Sequence, residues 1–209
     1  MAKESISQED DIKREFNFAT HSIISQVLRG VFVGIFAGLV VGIFRFLIEK
    51  IFHLVQDVYQ RSQQSMLWLL ALVFLYAFIV LLNARWVKSE KNIKGSGIPQ
   101  VEAELKGLMS LSWWSVLWKK FVLGILAISS GLMLGREGPS IQLGAMSGKG
   151  VSKFLNLSAA EERALIASGA AAGLAAAFNA PIAGLLFVVE EVYRHFSRFF
   201  WVSTLAASL

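Results

Sequence analysis

The chain has 209 residues, 55% of them hydrophobic and 17% charged, with no cysteine, whereas a soluble domain carries about 25% charged residues and about 45–50% apolar ones. With a mean hydropathy of +0.57, these numbers indicate an integral membrane protein and exclude disorder, collagen-like repeats, a coiled coil and a disulfide-stapled secreted fold. The net charge of +5 would suit nucleic acid in a soluble protein, but in a membrane chain it reflects the lysines and arginines of cytoplasmic loops.

Residues 1–26 mix Glu4, Glu9, Asp10, Asp11 and Glu15 with Lys3, Lys13 and Arg14. They hold no apolar centre of a signal peptide and read as a short, polar cytoplasmic tail ending in an amphipathic turn around Phe16 and Phe18. The first apolar stretch runs from Val27 to Ile51, with Arg29, Arg45, Glu49 and Lys50 towards its ends. It exceeds the roughly 20 residues that a helix needs to cross a bilayer. Gly30, Gly34, Gly38 and Gly42 recur every fourth residue, which predicts one bare helix face packed closely on another helix. Met66–Asn83 is an uncharged span, followed by Arg85, Lys88, Lys91 and Lys94. The positive-inside rule then puts the 84–94 loop, and with it the N-terminus, in the cytoplasm.

From Gly95 onward simple hairpins no longer fit. Gly95–Leu111 carries Pro99 and Glu102 and is too interrupted to span. Trp113, Trp114 and Trp118, with Lys119 and Lys120, read as an interfacial anchor before the run Phe121–Leu134. That run breaks at Gly135-Arg136-Glu137-Gly138-Pro139, and a short apolar segment follows to Phe154. Ala164–Val189 is interrupted at Asn179-Ala180-Pro181 and closes on Glu190-Glu191, and a last apolar run starts at Phe199. Broken helices at membrane depth survive only where their backbone groups face protein or a water-filled cavity. Their N-termini, with unpaired N–H groups and a positive dipole end, suit a small anion. Their carbonyl ends suit cations, so the breaks alone leave the ion open.

Two segments concentrate the chemistry. In Gly95-Ser96-Gly97-Ile98-Pro99 a hydroxyl stands between glycines ahead of a proline suited to a helix start; it can donate to an anion or simply cap the helix. In Gly135–Pro139 the carboxylate of Glu137 stands at a glycine-flanked break, with Pro139 at a helix start. A carboxylate at membrane depth is a functional candidate; aimed at a helix N-terminus it mimics an anion, and protonation releases it. The alternative is a structural pair with Arg136, although adjacent helical side chains diverge. Glu190 and Glu191, before Arg194, His195 and Arg198, read on their own as an interfacial helix end. Gly144–Gly150 falls one residue short of a phosphate loop and lacks the following Ser or Thr. Asn156-Leu157-Ser158 matches the glycosylation pattern by chance. Three scattered histidines without cysteine do not make a metal site.

Together, GSGIPQVE at 95–102, GREGPSIQLG at 135–144 and GAAAGLAAAFNAPIAGLLFVVEE at 169–191 resemble the CLC family of chloride channels and proton-coupled chloride antiporters, from about Val27 to the end. The resemblance implies an all-α integral membrane fold, the first half of an inverted repeat with tilted and discontinuous helices over 27–209. Ser96, Gly97, Ile98 and Pro99 would flank the anion on one side, and Gly135, Arg136, Glu137, Gly138 and Pro139 on the other. Ser96 matches the serine that goes with chloride preference, where proline accompanies nitrate preference. Glu137 matches the gating and proton-exchanging glutamate, and Glu191 the inner proton relay that antiporters carry and channels usually replace. The expected activity is therefore chloride/proton exchange, not catalysis, with no cofactor beyond the transported ions and no nucleic-acid partner. A multi-pass protein of a prokaryotic plasma membrane, paired as a homodimer, is implied as well. The family's second half and its chloride-contacting tyrosine lie beyond Leu209. The run from Phe199 is about half a span, so a truncated chain that needs its C-terminal half and does not transport alone is expected. The rivals are a passive anion channel and a fragment acting only in assembly.

Overall fold

Apolar runs and the breakers between them set the element boundaries. The structure, a computed structural model, describes residues 2–209 except 64, 133, 189 and 191–197, and side chains from residue 24 on, apart from those positions and 198–201. Its order is α1 (Ala2–Ser62), α2 (Met66–Ser89), a 3-10 turn (Lys91–Ile93), α3 (Ile98–Leu105), α4 (Trp113–Ser129), α5 (Glu137–Phe154), α6 (Ala159–Phe178), α7 (Pro181–Phe187) and α8 (Arg198–Ser208), with no strand among the described residues. The N-terminal segment expected to be a tail is helical from Ala2, and α1 continues past Ile51 to Ser62. No glycine or proline lies between Ala2 and Arg29 or between Phe52 and Ser62, and the Lys, Arg, Glu and Gln that make the first segment polar are good helix formers.

α1 and α2 both have the length and mean hydropathy of membrane spans. Most apolar side chains of α2 face outward, Leu67 78% exposed and Phe74 73%, an arrangement suited to hydrocarbon surroundings, whereas α1 also turns Val33, Ala37, Val41, Phe44 and Ile48 into the interior. The interior is a different material. α5 and α6 run antiparallel with backbones in contact, because Gly144 lies against Gly169 and Gly173, Gly148 against Leu165, and Gly173 against Ser140. Every residue of α5 from Gly138 to Ser152 is buried. α8 packs along α1 through Gly30 on Ser203 and Gly34 on Ala207, while Gly38 and Gly42 have nothing within 4 Å. Half of the expected glycine face is thus a helix–helix contact among the described residues.

Segment 90–111 enters the helix layer and turns back. Glu90 accepts from the Ser115 hydroxyl at 2.9 Å, Ser96 lies against Gly138, and Glu104 accepts from the Leu111 N–H at 3.1 Å. The return is anchored by a buried ion pair: Lys149 Nζ bonds Glu104, and donates to Leu111 C=O at 2.7 Å. Lys149 is therefore an interior residue of α5, which removes the phosphate-loop likeness. Ser158 caps α6 in a reciprocal box with Glu161, and Glu161 pairs with Arg29 at 2.5 Å. At its other end, α6 stops on Asn179 in the left-handed region (φ 54°). Arg45 donates to Ala176 C=O at 2.5 Å and to Asn179 Oδ1 at 3.1 Å, so this cation serves a helix C-terminus. Of the tryptophans, Trp118 meets Trp86 edge-on at 4.9 Å and Trp113 meets Trp114 at 5.5 Å.

Candidate functional site

The Gly95–Gly97 turn exists because two glycines take positive φ, 70° at Gly95 and 96° at Gly97, a region that L side chains avoid. Gly97 is the N-cap of α3, with Pro99 in the first turn. The Ser96 hydroxyl oxygen accepts only a long bond, 3.4 Å from the Ile98 N–H, so its proton is available to a ligand. Opposite the turn is the start of α5. A Cβ on Gly138 would fall 2.7 Å from Ser96 Cβ and 3.0 Å from its Cα, so glycine is what lets the two segments meet. The first described intrahelical bond of α5 is Ser140 N–H to Arg136 C=O at 3.1 Å. The N–H groups of Glu137 and Gly138 come before it, where a helix has no internal acceptor, and Pro139 has no N–H at all.

Glu137 is half-buried at this N-terminus, its carboxylate folded back over Gly135, where a Cβ would be 2.5 Å from Oε2. Arg136 does not pair with it. The guanidinium reaches across to Glu49 of α1 at 3.2 Å, which leaves the Glu137 carboxylate to the helix end. Two cavities meet at Glu137. One, of about 560 Å³, is lined by Gly95, Ser96, Ile98, Lys120, Gly135, Glu137, Gly138 and Pro139 among others. The second, of about 450 Å³, holds Glu49, Phe52, Leu132 and Arg136, and shares Ile128, Leu134, Gly135 and Glu137 with the first.

Of the residues expected at the site, Ser96, Ile98, Gly135, Glu137, Gly138 and Pro139 line one cavity. Gly97 and Pro99 shape the turn behind it, and Arg136 lines the adjoining cavity. Glu191 lies outside the described residues, as do Arg194 and His195. Sequence reasoning missed two residues. Lys120, expected in an interfacial anchor, is 4% exposed and lines the Ser96 cavity. Gln142, inside a quoted motif but given no part, lies fully buried against Gly97. No group of three or more His, Cys, Asp or Glu able to hold a metal occurs among the described residues.

Helix N-terminal donors, a hydroxyl facing them and one carboxylate at the junction of two cavities define an all-α membrane protein with a helix-end site suited to a small anion. The family model described as voltage gated chloride channel matches residues 76–209, and the chain belongs to that family, the CLC proteins. The H(+)/Cl(-) exchange transporter ClcA of Vibrio cholerae is 37% identical over an alignment of 194 residues that covers 89% of this chain and 40% of that protein. The ClcA of Citrobacter koseri is 50% identical over 103 residues, 49% of this chain and 22% of the relative. Among solved structures, a slow cyanobacterial Cl-/H+ antiporter gives a TM-score of 0.78 at 29% identity, covering 87% of this chain and 44% of its own. A eukaryotic CLC transporter gives 0.69 at 24% identity, covering 88% and 36%, a likeness of fold alone. The chain therefore spans less than half the length of these relatives. The all-α CLC fold and membrane residence expected from the motifs both hold.

Proposed function

We propose that this chain supplies part of a chloride pathway coupled to proton movement. The observation that carries the reading is the meeting of the Ser96 hydroxyl with the Gly138 end of α5 in one cavity, with Glu137 at its rim. Chloride binds between the Ser96 turn and the α5 N-terminus, where N–H dipoles and a hydroxyl replace water. The Glu137 carboxylate competes for the same donors; taking up a proton discharges it and yields the place to chloride. Glu191 hands protons to the site from the inner side. The remaining anion ligands come from the stretch of the relatives' length that this chain does not cover. Assembly as a homodimer in a prokaryotic plasma membrane, N-terminus in the cytoplasm, belongs to the same reading. Its support is the basic 85–94 stretch and the bacterial relatives named as exchange transporters.

The test is flux in liposomes with the protein that carries this chain. Chloride is expected to move against protons, and Glu137→Ala is expected to abolish proton movement while chloride still passes. Coupling that survives Glu137→Ala overturns the assignment. A reversal potential indifferent to a pH gradient assigns passive conduction instead. Glu191→Ala is expected to uncouple protons from the inner face, and an unchanged exchange ratio returns Glu191 to a helix-end ion pair.

A further inference from the structure

The segment that leads into Ser96 has its backbone carbonyls taken up, one after another, by side chains from three helices. Gln142 Nε2 of α5 donates to Asn92 C=O at 2.8 Å. Lys120 Nζ of α4 donates to Ile93 C=O at 3.0 Å and to Gly95 C=O at 2.6 Å. Gln100 Nε2 of α3 donates to Lys94 C=O at 3.0 Å. Each glutamine thereby leaves its own Oε1 buried without a hydrogen-bond partner. Turning either amide round would set oxygen against oxygen, so the carbonyls dictate the orientation. The unpartnered Oε1 of Gln142 lies against Gly97, where a Cβ would collide with it. A buried acceptor left alone is costly; here it accompanies an ordered turn.

These contacts also set the sign of the site. Carbonyl oxygens beside a cavity attract cations and repel anions, and Ile93, Lys94 and Gly95 all line the cavity that holds Ser96 and Glu137. Donors seated on their oxygens offset that potential, and Lys120 adds an ammonium to the same wall. We propose that Lys120, Gln142 and Gln100 form a clasp on the 92–95 carbonyls that fixes the Ser96 turn and so determines which anion the site prefers. They are positioning residues: they act through the turn and do not ligate the anion. The proposal rests on the reading of the Ser96–Glu137 cavity as a chloride site.

The experiment measures chloride and thiocyanate binding by calorimetry on the protein that carries this chain, as wild type, Gln142→Met, Lys120→Met and Lys120→Arg. Methionine keeps an unbranched side chain and removes the donors. Gln142→Met is expected to weaken chloride binding about fivefold, the scale of one hydrogen bond, and to lower the chloride-over-thiocyanate ratio because a loosened turn admits the larger ion. Lys120→Met, which loses two bonds and a charge, is expected to lower both by about tenfold or more, and Lys120→Arg to restore the ratio towards wild type. Wild type that binds chloride, with folded methionine variants that leave affinity and ratio unchanged, overturns the clasp and leaves the chloride reading intact. Wild type that binds no chloride overturns the chloride reading, and the clasp with it. If Gln142→Met does not fold, Gln100→Met at its half-exposed position carries the same comparison.

Discussion

α2 and α5 are both helices of a membrane protein, yet they are built in opposite ways. α2 is almost wholly apolar and largely exposed, with Leu67, Phe74 and Leu81 pointing away from the protein. α5 carries Ser140, Gln142, Ser147, Lys149 and Ser152 and is buried from Gly138 to Ser152. In lipid, hydrophobicity earns a helix the outside and does not drive it inward. The interior goes to the helix that packs closest and pairs most of its polar groups, Gln142 Oε1 being the exception in α5. α5 does so with glycines against α6, with serine hydroxyls bonded back to its own carbonyls at 2.8–2.9 Å, and with the Lys149–Glu104 pair.

The largest effect is expected at that pair. Lys149→Met leaves Glu104 buried without its cation and is expected to cost about 3–5 kcal/mol, read as a fall in the thermal unfolding midpoint in detergent. The double variant Lys149→Met/Glu104→Met should recover part of the loss, since no buried charge is left unpaired, while the Leu111 N–H and C=O lose their side-chain partners. If the single variant melts with the parent, α5 is not held by its polar contacts. Next comes Gly144→Ala. Its Cβ meets Gly169 and Gly173 backbone, and overpacking of this kind costs about 1–3 kcal/mol; an unchanged midpoint would mean that the α5–α6 contact yields. Gly38→Ala sharpens the contrast from the other side. With nothing within 4 Å of it among the described residues, the added methyl should leave the midpoint unchanged or raise stability by up to about 1 kcal/mol through helix propensity, whereas destabilisation would place a partner on that face.

The smallest effect lies outside the apolar spans, in the polar first turn of α6. The Ser158 hydroxyl, and then Arg29, hold the Glu161 carboxyl below its usual range. A carboxyl whose pKa falls on folding adds stability that is fully present above its ordinary value near 4.5 and is lost as the pH drops through the folded value. The Glu161 side chain is 39% exposed, so solvent screens the interaction and the contribution is small. The wild-type and Glu161→Gln midpoints should differ slightly near neutrality and converge as the pH falls through the lowered folded value; a constant gap would assign the difference to the cap alone.

Much of this contrast was legible in the residues. Gly135–Pro139 and Asn179–Pro181 announced both helix breaks, and the structure starts α5 at Glu137 and α7 at Pro181. The uncharged run from Met66 gave α2 its start, though the helix continues through Arg85 and Lys88 to Ser89. The N-terminal helix was missed because its polar residues carry no apolar period. Half of the glycine stripe on α1 meets no described residue, since spacing records a bare face but not what covers it. Arg136 and Arg45 were out of reach for another reason: their partners, Glu49 and the end of α6, lie 87 and 131 residues away. Gln142 and Lys120 were hidden likewise, because their acceptors are backbone carbonyls, which leave no trace in side-chain pattern.

The buried pair beneath the returning segment also bears on the order in which the protein is made. Glu104 leaves the ribosome well before Lys149, which follows it by 45 residues. A lone carboxylate at the centre of a bilayer costs about 2.5–3.5 kcal/mol on insertion scales. Segment 90–111 therefore has no counter-ion from this pair until most of α5 has been synthesised. Burial of that segment is therefore expected to wait for α5, so that the Ser96 turn is completed only after the helix it rests on has been made.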